Sequence, residues 1–173
     1  MNIDKIPSGK NPPEEIYVFI EIPQGVSIKY EYDPEIGAVV VDRFLYTDMN
    51  YPFNYGFIPN TKGGDGDPLD VLVLSKKPVA VGTIIAARPV GMLATEDEEG
   101  EDAKLIAVPM PKIDPTMAAV NDISEVDKKI LDDIKYFFEN YKKNEPGKWV
   151  KVSGWKGKDE ALKTVRKGMK KRR

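Results

Sequence analysis

The spacing of apolar positions changes character late in the chain. Up to about residue 110 they come in short runs, several at every second position; beyond it they recur at helical spacing. Residues 16–22 (IYVFIEI) are rich in β-branched and aromatic side chains and end at Pro23, which predicts a strand. Residues 27–32 (SIKYEY) alternate, sending Ile28, Tyr30 and Tyr32 to one face and Lys29 and Glu31 to the other. Residues 39–43, 71–74, 83–90 and 105–108 predict further strands, and 46–68, with four glycines and three prolines, reads as one long structured loop. Ser124 followed by Asp127 resembles a capping box with Asp in place of Glu. Val126, Ile130, Ile134, Phe137, Phe138 and Tyr141 then form a helical stripe, stopped by Pro146 and Gly147. A short strand at 149–152 and a second helix from about Asp159 follow, and the basic tail 167–173 (KGMKKRR) is expected to fray. With no repeat and no linker, residues 1–173 read as a single domain, mainly β with two late helices.

Composition narrows the chemistry more than the fold. A chain of 173 residues buries roughly 70% of its unfolded surface, enough for one core without staples. With 41% hydrophobic and 31% charged residues it reads as globular, and a net charge of −2 creates no field that would recruit nucleic acid or an acidic membrane. There is no cysteine, so disulfides, zinc–thiolate sites and thiol nucleophiles are excluded. No signal-like apolar stretch opens the chain and no run approaches the ~18 residues of a span, so the expected location is cytoplasmic. There is no histidine either, which rules out Ser-His-Asp triads, HExxH zinc sites and an imidazole base. What remains are carboxylates, ammonium and guanidinium groups, hydroxyls and bound ions, and hard oxygen ligands suit Mg²⁺ or Mn²⁺.

The sharpest local signal is Asp65-Gly-Asp67-Pro-Leu-Asp70, three carboxylates within six residues on turn-forming backbone. Pro68 disfavours helical backbone at Asp67, leaving an irregular loop that can wrap an ion, although Asp-Gly pairs also favour plain surface turns. A calcium EF-hand fails on spacing: its fifth, sixth and twelfth positions would be Leu69, Asp70 and Lys76. A second acidic run, residues 96–102, lies between two apolar strands. Glu98, Glu99 and Glu101 read as a solvated loop; Asp97 and Asp102 stand out by position, with Lys104 on the same strand face as Asp102. The third group is Lys29 and Glu31 with Glu21 on the preceding strand and Arg43 on the following one, a pattern that an ordinary polar face would also give. Tyr141 and Lys142 close the amphipathic helix, where Tyr141 suits a core and Lys142 suits the C-terminal dipole.

Taken in order, EIYV (15–18), IKYE (28–31), VDRF (41–44), YPFNYGFIP (51–59), DGDPLDV (65–71), RPVG (88–91), EDAKLIAVP (101–109) and KWVKVSGW (148–155) resemble the family I soluble inorganic pyrophosphatases of prokaryotic type over nearly the whole chain. The resemblance implies hydrolysis of pyrophosphate to two phosphates on a five-stranded OB-like β-barrel with two C-terminal helices packed outside, in a homo-oligomer, commonly a hexamer. It implies three or four Mg²⁺ ions per site, with Mn²⁺ or Zn²⁺ as substitutes. Asp65, Asp70 and Asp102 would hold the first ion, Asp70 shared with a second, and Asp97, Asp102 and Glu31 ions that arrive with substrate. Asp67 would be the general base, tuned by the Tyr55 hydroxyl. Lys29, Arg43, Tyr141 and Lys142 would grip phosphoryl oxygens, with Lys104 on the electrophilic phosphate and Glu21 ordering Lys29 and water.

Charge leads to the same requirement for cations without the resemblance. The candidate acids outnumber the candidate bases, and pyrophosphate is itself a polyanion. Like charges about 4 Å apart repel by roughly 4 kcal/mol at an effective dielectric near 20. Such a site cannot take a polyanion without divalent ions. Two other readings have distinct signatures. A barrel that binds nucleic acid needs a basic, aromatic face, and here the face is acidic. Hydrolysis of a nucleotide or polyphosphate would use the same metals, but the chain has no Walker loop.

Overall fold

The computed structural model describes residues 3–172. Their strands are β1 (Ile16–Ile22), β2 (Ile28–Asp33), β3 (Ala38–Phe44), β4 (Asn54–Phe57), β5 (Asp70–Val73), β6 (Ile84–Asp97), β7 (Gly100–Glu101), β8 (Lys104–Pro109) and β9 (Val150–Gly157). The α-helices are α1 (Lys128–Asn140) and α2 (Lys158–Arg172), giving a mainly β chain with two helices. None of the described helices is long and apolar enough to cross a membrane. β1 pairs antiparallel with β4, β4 with β5, β5 runs parallel to β8, β8 pairs with β6, and β6 pairs back with β1. Five strands thus form a closed cycle of pairings, while β7 and β9 attach to β6, and β2 and β3 make a separate hairpin.

Strands β5 and β8 read as unbroken apolar runs because both of their faces are buried. Val71 and Val73 join Ile16, Val18, Ile20 and Leu105 in a core that α2 closes with Ala161 and Val165. Leu72, Ile106 and Val108 point the other way, into a second core with Ile134, Phe137 and Phe138 of α1. Period-two strands sandwiched between two cores therefore look continuous in sequence.

Four expectations are corrected. The segment 46–68 is not all loop: Asn54–Phe57 is a fully buried strand. Its Gly56 pairs with Ile20 of β1, and an added Cβ would collide with the carbonyl of Phe19. Asn54 ties β4 to the segments that follow β1 and β5: its Nδ2 donates to Ser75 Oγ (2.6 Å) and Lys77 O (2.9 Å), while Oδ1 accepts from the amides of Gln24 (3.0 Å) and Val79 (2.8 Å). The strand begun near residue 83 runs on to Asp97, because the register shifts between Pro89 and Gly91 and absorbs the missing proline N–H. The Ser124/Asp127 box does not form. Asp122 and Glu125 make the capping box of a 3₁₀ turn, extended Val126 interrupts, and Asp127 alone caps α1 through Lys129 N (2.8 Å). Finally, α2 continues through the basic stretch to Arg172 instead of fraying before it.

Candidate active site

Twelve of the thirteen candidate residues line one cleft of about 610 Å³. The β2–β3 hairpin supplies Lys29, Glu31 and Arg43, and β4 supplies Tyr55. Asp65 and Asp67 come from the loop before β5 and Asp70 from its first position, Asp97 from the end of β6, Asp102 from the turn between β7 and β8, Lys104 from the start of β8, and Tyr141 and Lys142 from just past the end of α1. Only Glu21 stands behind the wall, its Oε1 accepting from Tyr32 N at 2.7 Å and not bonded to Lys29.

At the floor, Lys104 is 4% exposed, with Nζ 2.6 Å from both Asp70 Oδ2 and Asp102 Oδ2 and 3.1 Å from the Tyr55 hydroxyl. Tyr55 donates to Asp70 Oδ2 at 2.6 Å, so its hydroxyl serves Asp70 and not Asp67. Burial pushes the Tyr55 hydroxyl well above its ordinary range, and Asp70 and Asp102 push it further. Phe137 and Phe138 of α1 fix the tyrosines: Phe137 stacks on Tyr141 at 5.0 Å and lies 4.7 Å from Tyr51, and Phe138 lies 6.3 Å from Tyr55. Burial also raises the carboxyl of Asp102, against the pull of Lys104.

On one wall Lys29 Nζ meets Glu31 at 3.2 Å and Asp42 at 3.0 Å, and Arg43 pairs with Asp42 and, at 2.9 Å, with Glu145. Burial works against the charge on Lys29, yet Glu31 and Asp42 raise its pKa. Across the cleft Lys142 bonds the buried Asp97 at 2.8 Å. The Asp65–Asp70 loop is shaped by its own backbone, with Asp67 N donating to Asp65 Oδ1 (3.0 Å) and Gly63 N to Asp67 O (2.6 Å). The Asp67 carboxyl is raised by desolvation and then by the charges of Asp65 and Asp70.

Sequence reasoning missed Asp42, Tyr51, Glu98, Glu99 and Lys148, all of which line the same cleft. Glu98 corrects an expectation outright, since it is not solvated loop. Lys148 sits 2.6 Å from it, and Lys148 and Lys142 hold its carboxyl down to about 2 despite desolvation. Lys148 could have been flagged inside the KWVKVSGW segment; Tyr51 and Asp42 likewise stand inside YPFNYGFIP and VDRF.

Residues 18–173 match the family model described as inorganic pyrophosphatase. The chain belongs to the inorganic pyrophosphatase family. It is 56% identical to the inorganic pyrophosphatase of Aquifex pyrophilus over 98% of this chain and 96% of that one. Against the protein of that name from Saccharolobus solfataricus the figures are 54%, with 98% of each chain covered. The crystal structure of the inorganic pyrophosphatase from Thermus thermophilus superposes with a TM-score of 0.95 at 43% identity, covering 99% of both chains.

Pyrophosphatases of this family are generally metal-dependent, and the donors here suit that chemistry. They are hard carboxylate oxygens with neither imidazole nor thiolate, matched to Mg²⁺-type ions. Among the described residues no three carboxylates converge tightly enough to hold an ion by themselves. Between Asp70 and Asp102 the chain's own ammonium, Lys104, stands where positive charge is wanted. The residues therefore fit a divalent cation in kind.

Glu21 makes a stability prediction. Burial pushes its carboxyl from 4.5 up to about 8. Between those values the folded chain keeps a proton that the unfolded chain has released, so this group's contribution falls as pH rises across that window. In metal-free buffer, wild-type melting temperature should fall from pH 4.5 to about 8 more steeply than that of Glu21→Gln, which has no carboxyl to titrate. Parallel melting curves for the two proteins would remove Glu21 as the cause.

Proposed function

We propose that this cleft hydrolyses inorganic pyrophosphate to two orthophosphates with the aid of bound Mg²⁺. The observation that carries the reading is the convergence of Asp65, Asp67, Asp70, Asp97 and Asp102 with Lys29, Arg43, Lys104 and Lys142 in one cleft, in a chain without histidine or cysteine. Asp65, Asp70 and Asp102 would hold one ion and Asp70 would share a second. Asp97, Asp102 and Glu31 would take ions that enter with substrate, three or four in all, with Mn²⁺ or Zn²⁺ as substitutes. Bound there, such ions neutralise the polyanion and lower the pKa of the attacking water.

The chain's own groups do the rest. Asp67, raised in pKa by partial desolvation and by its acidic neighbours, accepts the proton as the water oxygen bonds to phosphorus. The bridging P–O bond breaks, and its oxygen leaves on the second phosphate. Lys29, Arg43, Tyr141 and Lys142 hold that phosphate, Lys104 faces the one attacked, and Tyr55 orients Asp70. Phosphoryl transfer draws mainly on such positioning and charge stabilisation.

The closed cycle of five strands supports reading the fold as an OB-like barrel that serves as a single domain. We assign the chain to a cytoplasmic homo-oligomer, a hexamer by family resemblance. The exposed Val41, Phe44 (68%) and Tyr46 on and beside β3 support a subunit contact. The test is phosphate release from pyrophosphate and, in parallel, from ATP. Rapid release from pyrophosphate with Mg²⁺, abolished by EDTA, is expected; a folded, Mg²⁺-loaded protein that leaves pyrophosphate intact would sink the reading.

A further inference from the structure

Helix α2 lies against the segment that carries Asp65 to Asp70. Lys62 N donates to Gly168 O at 3.1 Å, tying the start of the loop to the helix backbone. The bare Cα of Gly168 faces Leu69, the residue before Asp70. A Cβ on Gly168 would fall 2.6 Å from Leu69 Cδ1, 3.2 Å from its Cγ and 3.3 Å from Lys62 O. Leu69 is 6% exposed, and its backbone is fixed on both sides: its N donates to Thr61 Oγ1 at 3.0 Å and its O accepts from Ile58 N at 2.9 Å. Around this contact the packing is open, for a cavity of about 160 Å³ separates Thr164 and Lys167 of α2 from Asp65, Asp70 and Asp102. Leu69 is seated in the core with Ile58, Val71 and Val165, and Gly168 is the point at which the helix backbone leaves room for it.

We propose that Gly168 is a positioning residue for the metal-holding carboxylates, its missing side chain allowing Leu69 to seat and so fixing Asp70 relative to Asp102. The inference rests on the assignment of Asp65, Asp70 and Asp102 as metal ligands. The added methyl of an alanine would sit 2.6 Å from Leu69 Cδ1 and 3.3 Å from Lys62 O, so the Leu69 side chain must leave its seat, and the strain falls on the Thr61 and Ile58 hydrogen bonds that hold the backbone beside Asp70. Alanine gains helix propensity but overpacks a buried contact, so positioning is read from the Mn²⁺ affinity of the folded protein and not from its stability.

The experiment is calorimetric titration of Mn²⁺ into the full-length protein without substrate, for the wild type, Asp70→Asn, Gly168→Ala, Leu69→Val and the Gly168→Ala/Leu69→Val pair, with melting temperatures alongside. Gly168→Ala is expected to bind Mn²⁺ about tenfold more weakly, at the low end of what outer-shell changes cost, when titrated well below its own melting temperature. The double variant, with the clashing Cδ removed, should recover most of that loss. Leu69→Val alone withdraws the contact without adding an atom and should weaken binding severalfold, which keeps the test open should the alanine variant fold poorly. Wild-type affinity in both Gly168→Ala and Leu69→Val, beside a weakened Asp70→Asn, overturns the inference. Unweakened binding by Asp70→Asn overturns the metal assignment itself, and the inference with it.

Discussion

Asp67→Asn is expected to lose about 10²- to 10⁴-fold in turnover, the range a positioned general base supplies, while folding as the parent does. Asparagine keeps the shape of the side chain but cannot take the proton of the attacking water. The local geometry survives because both hydrogen bonds that shape this turn use the backbone of residue 67: its N–H donates to Asp65 Oδ1 at 3.0 Å, and its carbonyl accepts from Gly63 N at 2.6 Å. The side chain is exposed on the cleft, so no core contact is lost. Its pKa, raised by desolvation and by Asp65 and Asp70, makes it a better base than a free carboxylate. Phosphate release at saturating Mg²⁺ measures the loss, and an unchanged melting temperature shows that it is chemical. Turnover within a few-fold of the parent would move the base to another residue.

The contrast between Asp67 and Asp42 shows what a single sequence can carry. Asp65, Asp67 and Asp70 announce themselves because three acids share one short, turn-forming stretch, and such a stretch folds as a unit. Asp42 does not, because strand alternation places neighbours on opposite faces. The register passes from Lys29↔Arg43 to Tyr30↔Val41, leaving Asp42 as the extra residue of a β-bulge. The bulge turns Asp42 and Arg43 to the same side, where the Asp42 carboxylate lies between Lys29 and the guanidinium and relieves the repulsion of two cross-strand cations. No periodicity foretells such a bulge. Glu98 was hidden differently: its partner Lys148 is fifty residues further along the chain, and only the β6–β9 pairing brings them together. β1 was legible residue for residue because Pro23 and its β-branched run act locally. β4 was not, since four buried residues between Pro52 and Pro59 owe their strand to β1 and β5 and carry no pattern of their own.

Lys104→Met should produce opposite effects on stability and metal binding, and large ones. The ammonium is almost wholly buried between Asp70 and Asp102. Burial alone would lower its pKa, but the two carboxylates raise it well above the ordinary range, so it is charged at any working pH. Methionine fills the space and leaves the two acids without their counter-charge. Removing one partner of a buried ion pair costs about 3–5 kcal/mol, so in EDTA the variant should melt well below the wild type. Adding Mg²⁺ should close most of that gap, because an ion that takes Asp70 and Asp102 supplies the missing charge and stabilises the folded state by mass action. Mg²⁺ should also bind the variant more tightly, since no ammonium competes for the same oxygens. Turnover should nevertheless fall, because no cation faces the phosphate under attack. Melting curves with EDTA and with Mg²⁺, paired with phosphate release, read all three effects. A gap of the same size in both buffers would mean that Asp70 and Asp102 do not hold the ion, whereas a gap that closes while activity stays low separates the two tasks of this corner of the cleft: the carboxylates hold the metal, and the lysine serves the phosphate.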